Sequence, residues 1–353
     1  MQPIRPTYLF AGGGSGGHVA PGLAVADEIV RRRPDARIVF AGSTRPVERS
    51  LLAETPYEHV AVVGESSRTI RMPVATLRAA AMLHDLKPAH VIGLGGWPSV
   101  PTVLAATFRR LPVTLLEQNV VAGRATEWLA RLGHPVCGAF EKTGDRLRPE
   151  RFFATGNPVR PLRWRSRVSG RHVLVLGGSQ GAHGLNRVTL EAMTRITPDL
   201  RSTLRVTHQT GRRDAAVVAA RYAALGVDAE VAPFFDDMPA RYADASVCVT
   251  RAGGTTLAEL AAARLAAVCV PYPDSVRDHQ LENARHFARH GAAVVVEESR
   301  RDAASLAVHL TRLLRHEAAR LEMADAAARL HRPDAAAAVV DRLGIADPIV
   351  VAA

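Results

Sequence analysis

The sequence predicts an α/β protein made of two doubly wound parallel-sheet domains. Apolar runs that stop at glycine or polar residues recur along its 353 residues. The opening order of strand, glycine turn and helix starts again near residue 172. A basic, proline-bearing segment separates the two series. Such continuous apolar runs fit strands covered on both faces. The length suits roughly two domains, and 47% hydrophobic content supplies their cores.

"TYLFAGG" (7–13) reads as the first buried strand, and "PGLAVADEIVRRR" (21–33) as a helix with Pro21 in its first turn. "ARIVFAG" (36–42), "HVIGLGG" (90–96) and "PVTLLEQ" (112–118) continue the strands. The second series begins with "HVLVLGGSQGA" (172–182), a copy of the opening. It runs on through 204–211, 229–235, 245–254 and 266–273. Residues 333–346 read as a final helix. The expected domains are 1–160 and 161–330, joined by a hinge near 160, with 331–353 packing back on the first.

A formal charge of +11 points to an anionic partner. Aromatics are only 5% and no RNA-recognition motif appears, so no nucleic-acid partner is expected. Seven arginines and no acid lie between Arg151 and Leu190. The densest stretch, 160–171, reads either as a solvated linker face or as a basic patch at a hinge or membrane. Neither a secretory leader nor a spanning apolar stretch is visible. Cys137, Cys248 and Cys269 are sparse and odd in number, which suits reduced thiols in cytosol.

"GGGSGGH" (12–18) satisfies G-x-G-x-x-G, a weak dinucleotide signal alone. The second strand ends in "FAGSTRP" without the acid that holds an NAD ribose, while Arg45 leaves NADP open. A Walker lysine is absent. What remains is a backbone approach to a ligand at a helix N-terminus, with His18 either a base or a structural histidine. Glu117 and Asn119 of "LEQN" fall at the carboxyl end of a strand, where open sheets bind ligands or merely turn. Arg160 and Ser179 are of the type that contacts diphosphate oxygens. Gly254, Thr255 and Thr256 open a helix, with Glu259 about one turn further in. That pattern suits a diphosphate and a ribose, or a plain helix cap. Gln280 and Asn283, three apart on one helix, offer amides suited to sugar hydroxyls. No metal spacing is present, and no cofactor is expected.

Together, "GGGSGGHVAPGLAVA", "GLGGWPSVP", "LEQNVVAG", "TGNPVR", "GGSQGA", "FFDDMPARYADAS", "RAGGTTLAEL" and "DHQLENA" resemble the MurG family in that family's own order, over nearly the whole chain. The resemblance implies the GT-B fold, two Rossmann-like domains with an interdomain cleft. It implies an inverting transfer of N-acetylglucosamine from UDP-N-acetylglucosamine to the C4 hydroxyl of lipid I, giving lipid II for peptidoglycan. A peripheral position on the cytoplasmic face of the plasma membrane follows, with an anionic inner-membrane surface and cell-wall and division proteins as further partners. By position, Ser15, Gly16, Gly17 and Asn119 line the first-domain side of the donor site. Arg160 and Ser179 meet the diphosphate, and the Phe235 backbone meets the uracil. Gly254, Thr255, Thr256, Leu257, Ala258 and Glu259 form the nucleotide loop, with Glu259 on the ribose. Gln280 and Asn283 meet the sugar. His18 is the expected general base, and Glu117 orients it or competes for the role. The chain departs from the family pattern at Leu116, where a histidine is usual, at Ser15, where threonine is usual, and in the 63–77 loop. Another GT-B UDP-sugar enzyme, a glycolipid transferase or an epimerase, and a non-catalytic donor-binding scaffold are the alternatives.

Overall fold

In a computed structural model, which describes residues 5–64, 72–160, 170–178, 181–298 and 302–347, the chain divides into two compact units. The first comprises Met1–Arg160 with Arg332–Ala353, and the second Pro161–His331.

The first unit runs β1 (Thr7–Ala11), α1 (Gly16–Arg32), β2 (Arg37–Ser43), α2 (Pro46–Ala53), β3 (Glu58–Val63), α3 (Met72–Leu86), β4 (His90–Gly93), α4 (Val100–Phe108), β5 (Val113–Glu117), α5 (Arg124–Ala130), β6 (Val136–Gly138) and β7 (Phe152–Ala154). Its strands form one parallel sheet in the order β3-β2-β1-β4-β5-β6-β7. The second unit runs β8 (His172–Leu176), α6 (His183–Arg195), α7 (Pro198–Arg201), β9 (Arg205–Gln209), α8 (Ala215–Ala224), β10 (Asp228–Ala232), α9 (Met238–Asp244), β11 (Val247–Thr250), α10 (Gly254–Ala262), β12 (Ala266–Cys269), α11 (His279–Arg289), β13 (Ala293–Val295), α12 (Asp302–Arg315) and α13 (Glu317–Leu330). Its parallel sheet is ordered β10-β9-β8-β11-β12-β13.

The strand order reverses beside β1 in one unit and β8 in the other. Open α/β sheets bind ligands beyond the strand ends at such switch points. The two glycine turns, after β1 and after β8, stand at these places. Leu9, Val39, Val91 and Leu115 are buried on one face of the first sheet, and Phe10, Phe40, Ile92 and Leu116 on the other. Leu116 is therefore a core residue.

A last helix, α14 (Ala335–Arg342), belongs to the first unit, where Val339 and Val340 join the core formed by α1. Arg32 fastens it from inside. Its guanidinium bonds Glu28, Asp341 and the carbonyls of Ile345 and Ala337, and it is 4% exposed.

Two details differ from the sequence reading. Helix α1 starts at Gly16, so Pro21 lies inside it and has no N–H to give to the previous turn. Strands β3, β6, β7 and β13 were too short or too near an edge to stand out as apolar runs. Residues 65–71 and 161–169, the middle of the divergent 63–77 stretch and most of the basic stretch, lie outside the described residues, while the end of that divergent stretch opens α3. The three cysteines are free and buried.

Candidate active site

In the first unit, Ser15 occupies the position just before α1, so His18 falls in the helix's first turn. The Ser15 hydroxyl lies 2.8 Å from His18 Nδ1 instead of capping the helix. The imidazole rests beside Gly95 and Gly96, which follow β4 and have φ of +91° and +70°. A Cβ on Gly95 would come within 3.2 Å of the ring's Cδ2. The glycines of "GLGGWPS" thus give the ring its place, with His18 half-buried at the switch point.

The glycine loop before it encloses a carboxylate of its own chain. Glu48, 1% exposed, accepts the N–H of Gly14 at 2.9 Å, the N–H of Ser43 at 3.0 Å and the Ser43 hydroxyl at 2.6 Å. His59 Nε2 is 3.5 Å away. A Cβ on Gly13 would lie 2.6 Å from the Glu48 carboxyl carbon, and one on Gly42 only 1.5 Å from Oε1. Burial pushes the Glu48 carboxyl up, but the nearby His59 and the bonds from Ser43 and Gly14 outweigh it and hold the pKa below the ordinary value. Arg45 donates to the Gly14 carbonyl at 2.7 Å. Much of the glycine pattern therefore serves packing around Glu48, and the arginine that left NADP open is committed to the loop. Glu48 escaped the sequence reading because only its place in the first turn of α2 marked it.

Glu117, expected to orient His18 or compete with it as base, is found bonded within its own loop. It is 4% exposed, and its carboxylate accepts the main-chain N–H of Asn119 (3.1 Å), the Asn119 side-chain amide (3.0 Å) and the Gly123 N–H (2.9 Å). These three bonds shape its own loop. Asn119 shares that bonding, and its carbonyl accepts from Thr143. Arg160, half-exposed, pairs with Asp27 of α1 at 2.9 Å, and Asp27 accepts from Tyr57. Gly16 and Gly17 form the first residues of α1.

In the second unit, the turn after β8 contains Gly178 and Gly181 at φ of +79° and +77°. Ser179 lies outside the described residues. Gln209, also missed by the sequence reading, spans this turn and the Phe235 loop. Its amide donates to the Gly178 carbonyl at 3.1 Å and accepts the Phe235 N–H at 3.0 Å. Of the Phe235 backbone expected to meet uracil, the N–H is thus already bonded. Its ring lies 4.4 Å beneath the Arg241 guanidinium.

Gly253 caps α10, and Gly254, Thr255 and Thr256 form its first turn. Thr255 is buried, Thr256 and Ala258 are half-buried, and Leu257 is a core residue. Arg251 holds the preceding loop by donating to the carbonyls of Val270 and Pro271 and pairing with Glu298 at 2.6 Å. Asn283 differs from expectation: it is fully buried, and its amide donates to the Ala252 carbonyl at 3.0 Å. Fully enclosed, it presents no surface to a sugar and supports the loop instead. Gln280 accepts the Tyr272 N–H at 3.0 Å through Oε1. Glu259 accepts from the Tyr242 hydroxyl at 2.7 Å. Burial pushes its carboxyl up to about 7, against the lowering effect of that bond. Among the described residues, no group of three His, Cys, Asp or Glu is arranged to hold a metal ion.

Two Rossmann-like units with glycine turns at both switch points define the class, a protein of GT-B architecture. The glycosyltransferase family 28 N-terminal domain matches residues 8–136, and the family 28 C-terminal domain matches residues 172–339. The chain belongs to the MurG family. It is 38% identical over 349 residues to the UDP-N-acetylglucosamine–N-acetylmuramyl-(pentapeptide) pyrophosphoryl-undecaprenol N-acetylglucosamine transferase of Anaeromyxobacter dehalogenans, covering 94% of this chain and 91% of that one. It is 38% identical over 355 residues to the protein of the same name from Pseudomonas aeruginosa, covering 96% and 98%. The crystal structure of Acinetobacter baumannii MurG superposes with a TM-score of 0.75 at 30% identity, covering 96% and 99%. The S. aureus MnaA–UDP structure, at 11% identity and TM-score 0.73 over 96% of each chain, shares the fold.

Proposed function

We infer that the protein moves N-acetylglucosamine from UDP-N-acetylglucosamine to the C4 hydroxyl of lipid I, forming lipid II with inversion at the anomeric carbon. The observation that carries this reading is the His18 arrangement: an imidazole in the first turn of α1, with Nδ1 on Ser15 and the ring against two glycines. With Nδ1–H donating to Ser15, Nε2 takes the proton from the acceptor hydroxyl as that oxygen attacks. The C1–O bond to the diphosphate breaks, and UDP leaves with the electron pair. The N–H groups opening α10, and the turn before α6, stabilise the charge that develops on it. Glu259 accepts ribose hydroxyls. No step requires a metal ion.

The acceptor is a lipid, and the first unit has features suited to a membrane surface. No helix among the described residues is long and apolar enough to cross a bilayer. Leu77 on α3, Phe108 on α4 and Trp128 on α5 are 71%, 78% and 41% exposed, on three helices packed in succession. Exposed Arg78, Arg109, Arg110, Arg124 and Arg131 accompany them. Apolar side chains among cations suit an anionic headgroup layer, so we place the protein at the cytoplasmic face of the plasma membrane.

Radiolabelled UDP-N-acetylglucosamine with a lipid I analogue tests the reaction. Label should move to the lipid, faster with anionic than with neutral vesicles. Release of UDP and free sugar without lipid product would indicate an epimerase, and donor binding without turnover a scaffold.

A further inference from the structure

We propose that Tyr242 is the positioning residue for nucleotide recognition, holding the Glu259 carboxylate in the orientation that receives the ribose hydroxyls. This rests on the reading of Glu259 as the ribose acceptor.

The two residues lie on different helices of the second unit, Tyr242 on α9 and Glu259 on α10. Tyr242 is 4% exposed, so its ring is fixed by packing. Its hydroxyl donates to Glu259 Oε2 at 2.7 Å. A phenol has one hydrogen to give, and giving it to Oε2 leaves Oε1 for a ligand donor. A carboxylate on a flexible stem otherwise has to be ordered when ligand arrives, and a preformed bond removes that cost. The same bond favours the ionised carboxylate, the form that accepts from hydroxyls. Burial works the other way, since it disfavours the charge. Tyr242 therefore offsets the partial burial of a half-buried Glu259.

The position of Tyr242 in the chain adds a second link. Helix α9 follows directly on the loop carrying Phe235, whose N–H is tied to Gln209. Arg241, next to Tyr242, covers the Phe235 ring and pairs with Asp237 at 2.9 Å. One short helix thus joins the segment expected at the base to the carboxylate expected at the ribose.

The test compares UDP, 2′-deoxy-UDP and 3′-deoxy-UDP by calorimetry on the full chain and on Tyr242→Phe, with steady-state kinetics alongside. Phe keeps the ring and removes one oxygen, and thermal unfolding checks that the variant remains folded. The expected result is an increase of about tenfold in the KM for UDP-N-acetylglucosamine, with kcat unchanged, as for loss of one bond to a charged group. The wild type should prefer UDP over the deoxy analogues, and the Phe variant should lose most of that preference. If the wild type discriminates and the variant does so equally, the role of Tyr242 is refuted while the ribose reading stands. If the wild type binds all three alike, the ribose reading itself falls. A fall in kcat with KM unchanged would also overturn the proposal, because it would place Tyr242 in the chemical step.

Discussion

Ser15 Oγ sits 2.8 Å from His18 Nδ1, both within the start of one helix. The pairing matters for the tautomer. A base acting through Nε2 needs its hydrogen on Nδ1, and Ser15 is the acceptor for it. Ser15→Ala should lower kcat by about tenfold, and Ser15→Thr should retain most activity, because the hydroxyl is what counts. His18→Ala should lower kcat by about 10²- to 10⁴-fold, the usual contribution of a general base. UDP affinity should be nearly unchanged in all three. Near-normal turnover in His18→Ala removes it from the base role.

Gly42 and Glu48 give a test of the loop. Gly42→Ala would push a methyl into Glu48 Oε1, and moving the carboxylate away would strain its bonds to Gly14 and Ser43. The expected cost is a few kcal/mol, about 2–4 °C in the unfolding midpoint for each kcal/mol. The double variant Gly42→Ala/Glu48→Ala should be more stable than the sum of the single changes predicts. Additive losses in melting curves would show that the two positions do not oppose each other.

Acid stability should depend on His208. It is fully buried between Tyr222 and Asn186, and burial pushes its pKa down to about 3. An unfolded histidine takes its proton near pH 6.5. Above that pH neither state is protonated, so the full stability is present. As pH falls from about 6.5 towards 3, the unfolded state binds a proton that the native state refuses, and stability drops by about 1.4 kcal/mol per pH unit. His90, pushed down to about 4 by burial, acts in the same direction. Urea titrations of the wild type and His208→Gln across this range should differ in slope by about one proton. Equal slopes would refute the assignment.

Donor affinity should rise with pH through Glu259. Its carboxyl loses the proton at about 7, and only the ionised form accepts from both ribose hydroxyls. Binding of UDP-N-acetylglucosamine should strengthen by about tenfold from pH 6 to 8, as the ionised fraction does. Its diphosphate is esterified at both ends and does not titrate here. Glu259→Gln should bind weakly and show no such slope. A slope retained in that variant would assign it to another group.

The strands at 7–11, 37–43, 172–176 and 247–250 were readable because parallel strands buried on both faces are continuously apolar. The start of α10 was readable because glycines and hydroxyl residues precede an apolar helix. The partners of the site residues were not. Glu117, at a strand end, was expected to orient His18 or to compete with it as base, yet it bonds three N–H groups within the next six residues. Asn283 looked like a sugar ligand, yet its amide is spent on Ala252. A residue type at a strand end is compatible with either use, and local pattern does not say which groups surround it.

By itself, the sequence determined the class of fold, the two repeats, the family and the positions of the turns, since burial and turn chemistry act through near neighbours in the chain. Only the tertiary structure decided what those turns enclose. Glu48 fills the glycine loop from 34 residues away, Gln209 joins two loops, and Tyr242 meets Glu259 across two helices. Such meetings depend on strand order and helix packing, and a polar group removed from water takes whichever partner the fold brings within reach.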